Sequence, residues 1–178
     1  MPSPAIPAVR AVPAVPAVSV PTRLRLPDLL HITDRFADEV LSGRFTEQLP
    51  PGGLPADARW FTRLHADDEL DVWLISWKPG LTTELHDHGG SLGALTVISG
   101  ELNEHRWDGH RMRSRRLAAG DQAAFPLGWV HDVAGDALSV HAYSPPLTVM
   151  SYYAVSDRKR LHRTRTELTG HAPAEPGL

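Results

Sequence analysis

Three histidines carry the strongest chemical signal in this chain. His86 and His88 stand two apart in the run GLTTELHDHGGSLG (residues 80–93), and His131 closes a second run, GDQAAFPLGWVH (residues 120–131). On an extended segment residues i and i+2 face the same side, so His86 and His88 can aim both imidazoles at one point inside a barrel. A third ligand must come from another strand. His131 is the candidate, set by the turn Pro126-Leu127-Gly128 that precedes it. Imidazole suits iron, zinc, copper and nickel alike, so ligand type alone does not choose the metal. The chain holds ten histidines and no cysteine. That excludes a disulfide framework, a thiolate metal site and a cysteine nucleophile, and leaves His, Asp and Glu to hold any metal.

These segments need strands to carry them, and the pattern supplies strands. After Arg59 the apolar period is two, in short runs at 71–77, 94–99, 102–107, 111–117 and 137–143 separated by Pro and Gly turns. Short strands at this spacing predict an all-β sandwich or barrel, with Asp108-Gly109 as a hairpin turn. One amphipathic helix is predicted over 28–42, where Leu29, Ile32, Phe36 and Val40 recur at spacings of three and four. Residues 1–22 are rich in Pro, Ala and Val and read as a disordered arm, because proline removes backbone donors and favours polyproline II. The same prolines break every apolar run that a signal peptide would need, so a cytoplasmic protein is expected. A single domain is expected over 23–160, followed by a loose polar tail at 161–178. With 18 Lys+Arg against 21 Asp+Glu, the net charge of −3 gives no field for nucleic acid or an anionic membrane. No stretch approaches the roughly 18 to 20 apolar residues of a membrane helix. A monomer acting on a small molecule is the expectation.

The two histidine runs resemble the paired motifs of the cupin superfamily, a jelly-roll barrel, here preceded by the short N-terminal helix. Gly80, His86, His88, Gly100, Gly120, Pro126, Gly128 and His131 stand where that pattern places them. The superfamily's usual glutamate ligand is missing, its span holding Leu92 and Gly93. A three-histidine cupin resembles the thiol dioxygenases, and HDHGGS (residues 86–91), Gly100-Glu101-Leu102, Phe61-Thr62-Arg63 and SVHAYSPP (residues 139–146) are similar to segments of bacterial cysteine dioxygenases.

The resemblance implies Fe(II) held by His86, His88 and His131, and L-cysteine and O2 as substrates. It also implies Arg63 on the substrate carboxylate and a Ser139–His141–Tyr143 relay beside the metal. In animal relatives the Tyr is cross-linked to a cysteine; here Gly93 occupies that place, so Tyr143 is an unmodified phenol. Phe61 stands where many relatives have Tyr. Alternatives are a dioxygenase for another small thiol such as 3-mercaptopropionate, and a non-catalytic metal-binding cupin that senses a ligand. Trp77 and Trp129 read as barrel packing, and Glu84 as a fourth ligand or a solvated strand-end carboxylate. Asp87 and Asp132 are expected to face away from the metal. His31, His65, His105, His110, His162 and His171 read as surface, and the arginines of 106–116 as a charged edge strand.

Overall fold

A computed structural model describes residues 24–169. The expected arm at 1–22 and the last nine residues, with His171, lie outside them. Among the described residues no helix is long and apolar enough to cross a membrane.

The chain runs α1 (Leu26–Leu41), a 3-10 turn (Thr46–Gln48), then β1 (Trp60–Ala66), β2 (Asp71–Trp77), β3 (His86–Asp87), β4 (Leu92–Trp107), β5 (Met112–Ala118), β6 (Gln122–Phe125), β7 (His131–Ser144), β8 (Val149–Val155) and β9 (Leu161–Leu168). The strands pair antiparallel in the order β1-β2-β7-β3-β8-β9, and β4 joins β5, β6 and β7. This is the expected all-β fold with a helix before it. The helix starts at Leu26, two residues before the sequence-based bound, because Pro27 sits inside its first turn, where a missing N–H costs nothing.

Strand alternation separates two cores. On β7, Val140 and Ala142 pack outward under α1 with Leu29, Phe36, Val72, Leu74 and Ala94. Ser139, His141 and Tyr143 take the opposite face, toward the barrel interior, where Leu95, Val97, Leu102, Phe125 and Val133 form the second core. Thr33 of α1 accepts from Thr96 at 2.9 Å, which pins the helix to β4.

Two expectations are corrected. The runs 94–99 and 102–107 form one strand, β4, continuous through Gly100 but with a register shift between Val97 and Ser99. The shift changes which residues face inward: odd-numbered Leu95 and Val97 before it, even-numbered Leu102 and Glu104 after it. The loose tail expected from 161 is, over Leu161–Leu168, strand β9 paired with β8. Seven of its eight residues are exposed, so it is held by its backbone ladder and leaves no apolar period to read. The charged β5 pairs β4 alone, an edge as expected.

Candidate metal centre

His86 opens the short β3, inserted between β7 and β8 so that it pairs with both His131 and Tyr152. His88 follows beyond the strand end, and His131 begins β7. Each ring is buried, and one nitrogen from each converges so that the three ligand atoms lie within 4.8 Å of one another. His86 donates Nδ1–H to the Glu84 carbonyl at 2.9 Å, and His131 donates Nδ1–H to Glu104 Oε1 at 2.7 Å. Both rings therefore turn Nε2 with its lone pair to the common point. His131 Nε2 is buried with no hydrogen-bond partner. An orphaned nitrogen in a cluster of buried imidazoles fits a divalent metal ion.

Burial, followed by the charge of His131, lowers the His86 pKa to about 3, and burial lowers His88 well below its usual value. His141 is likewise lowered to about 3, chiefly by burial. In the metal-free protein these rings are neutral when folded and take up protons on unfolding once pH drops below about 6.5. Their contribution to stability is full above that pH and is lost progressively as pH falls below it. Melting of the metal-free protein at about pH 7 and about pH 5 is expected to show a large fall. Equal melting temperatures would contradict this burial.

The second feature is a directed hydrogen-bond chain. Trp77 Nε1 donates to Ser139 Oγ at 2.8 Å, and Ser139 lies 2.9 Å from His141 Nε2. Because the indole can only donate, the serine hydroxyl satisfies both contacts by giving its own proton to His141 Nε2. That tautomer, assigned from the network, leaves Nδ1–H facing Tyr143 Oη at 3.4 Å. The phenol proton is then free to point into the cavity beside His88, whose ring centroid is 4.9 Å from that of Tyr143. Burial raises the Tyr143 pKa, so the phenol keeps its proton. Gly93 pairs with Tyr143, and a Cβ there would stand 3.1 Å from the phenol ring. Trp77 thus does more than the expected packing: it anchors the relay.

A cavity of about 460 Å³ opens over the three histidines. Its walls are largely apolar, with Phe61, Trp73, Trp77 and Met150 among them, and among the described residues Arg59 is the one Arg or Lys in its lining. After burial, the Arg59 charge adds to the lowering of the His86 and His141 pKa values and partly offsets the rise that burial gives Tyr143. Its guanidinium lies 5.4 Å from the Trp77 ring. Arg63 is the residue that the resemblance implies for the substrate carboxylate. Arg63 is not among the residues lining the cavity; its guanidinium lies 5.4 Å from the ring of Trp73, its cross-strand partner on β2.

The other acids turn away from the metal position. Asp87 accepts from Tyr153 Oη at 2.6 Å and Asp132 from Thr83, both as expected. Glu84 is not among the converging ligand atoms; it is the solvated carboxylate expected, exposed and gripped bidentately by Arg165 at 2.8 and 3.1 Å. The positive φ of Glu84, 60°, belongs to the turn that brings its carbonyl to His86. Glu104, which the sequence did not single out, is 1% exposed and backs His131. Burial pushes its pKa up, but hydrogen bonds from His131, Arg115 and Trp129 outweigh that and hold it at about 2.

Residues 56–156 match the family model described as cysteine dioxygenase type I. Solved structures with a similar chain course include a double-stranded β-helix protein from Klebsiella pneumoniae (24% identity over 56% of this chain and 80% of that one, TM-score 0.47). A cupin-like protein from Thermotoga maritima is similar at 19% identity, over 58% and 83% of the two chains, with TM-score 0.48. KdgF from Halomonas sp. is similar at 19% identity, over 49% and 79%, with TM-score 0.44.

Proposed function

The chain belongs to the cysteine dioxygenase type I family, and from that premise we propose that it is an iron-dependent thiol dioxygenase converting L-cysteine and O2 to cysteine sulfinic acid. The S–H proton is retained in the acid product and both oxygen atoms end on sulfur, so the reaction balances without a further reductant. The observation that carries this reading is a three-imidazole cluster with no carboxylate among its ligand atoms, beside a buried tyrosine that lines the same cavity. Iron, when bound, supplies the redox chemistry by which O2 reacts with a thiolate. Three neutral ligands leave its full charge uncompensated, which favours an anionic incoming group.

The chain's own residues do the rest. Arg59 presents a planar, permanently charged fork to a substrate carboxylate at the cavity wall. Tyr143, held protonated and aimed by His141, donates a hydrogen bond to the group being oxidised. The apolar walls keep water from competing for the open face of the metal position.

The test is to load the protein with Fe(II) without air, add cysteine and then air, and look for sulfinate. Fully loaded protein that makes none would overturn the reading. Comparison with 3-mercaptopropionate and cysteamine separates cysteine from other thiols. For Arg59→Ala the KM for cysteine is expected to rise about 10- to 100-fold, the range of a charge-assisted pair, while turnover of cysteamine, which has no carboxylate, stays unchanged. Arg63→Ala is expected to change either KM little. The reverse pattern would return the carboxylate to Arg63.

A further inference from the structure

We propose that Glu104 is a positioning residue of the metal centre, returning through His131 the negative charge that the ligand set lacks. The inference rests on the metal-site reading above and not on the identity of the thiol. The three histidines are not equivalent behind their rings. His86 is backed by a neutral carbonyl, whereas His131 is backed by a carboxylate. Glu104 Oε1 accepts from His131 Nδ1 at 2.7 Å and from Trp129 Nε1 at 2.8 Å, and Oε2 accepts from Arg115 Nε. Every contact fixes the carboxylate in one orientation, and the register shift in β4 is what turns it inward. A carboxylate on the far nitrogen fixes the tautomer and makes the near nitrogen a stronger donor.

The line does not stop at Glu104. The Arg115 side chain is 40% exposed, so a surface cation withdraws charge from the same carboxylate that supplies it to His131. Glu104 and Arg115 should therefore move the metal in opposite directions. Purely structural roles would not give effects of opposite sign.

The experiment uses the full chain with Fe(II), reading iron affinity by chelator competition and the Fe(III)/Fe(II) potential by redox titration, with no thiol present. For Glu104→Gln, which keeps an acceptor oxygen and removes the charge, iron affinity is expected to fall about 10- to 100-fold and the potential to rise. For Arg115→Met the potential is expected to fall. Unchanged affinity in Glu104→Gln, or shifts of the same sign in both variants, overturns the proposal. If Glu104→Gln does not fold, Arg115→Met decides alone: a lowered potential supports the proposal, and an unchanged or raised one overturns it. Wild-type protein that binds iron tightly yet makes no sulfinate would sink the dioxygenase reading and leave this inference standing.

Discussion

His131→Ala is expected to leave the protein without bound iron and with thiol-dependent O2 uptake at the level of metal-free protein. Removing a group that merely supports a ligand costs roughly 10- to 100-fold in metal affinity, and losing the ligand itself exceeds that. His131 is the ring with an unpartnered buried Nε2, so its removal takes away the donor most clearly waiting for a metal. The variant also strips Glu104 of one of its three donors while Arg115 and Trp129 remain. A folding cost of about 1–3 kcal/mol is expected from that loss. Metal analysis and oxygen consumption check the first part, and chemical denaturation checks the second. Full iron occupancy in the variant would remove His131 from the ligand set.

The second large effect is on folding. Gly100 has φ of 74°, and a Cβ there would meet the Asp136 carbonyl oxygen at 2.1 Å and Ala137 Cα at 2.9 Å. Both neighbours are backbone atoms of β7, so neither can swing aside. Gly100→Ala is expected to destabilise the protein by about 3–5 kcal/mol, combining left-handed strain with the steric displacement of a paired strand. Gly109 is the control. Its φ is 97°, and nothing lies within 4 Å of its added Cβ, so Gly109→Ala is expected to cost only the strain of about 1–2 kcal/mol. Similar losses at the two positions in urea titrations would refute the close approach of β4 to β7.

The barrel was legible because most strands have one face on a core. The run at 71–77 reads directly, since Val72 and Leu74 lie under the helix while Trp73, Ile75 and Trp77 line the cavity. The metal ligands were legible for a different reason: two histidines at spacing two and a third after a tight turn form a pattern that packing alone does not produce. What escaped has physical causes too. β9 buries almost nothing, so hydrophobic period could not announce it. Glu104 faces inward only because of the register shift at Val97 and Ser99, and simple alternation along β4 is broken there. Gly100 in the middle of an apolar run was the available signal for that break. Arg59 just before β1 and Phe61 and Arg63 on it are spaced by two, and sequence does not say which of them reaches the cavity. The tyrosine relay was visible as alternation at 139, 141 and 143, but its direction depends on the Trp77 N–H, sixty-two residues away in the chain.

His131, Ser139, His141 and Tyr143 are all odd-numbered residues of β7, which β4 accompanies from Leu92↔Ser144 to Arg106↔His131. The metal ligand and the proton relay are thus marks on one ruler, and no loop between them can be lengthened to change their separation. A single residue inserted between 131 and 139 would turn the whole relay out of the barrel and leave His131 in place. Descendants of this chain that take up a new substrate must therefore remodel the walls supplied by β1, β2, β8 and β9, because the spacing between oxidation site and proton donor is not theirs to adjust.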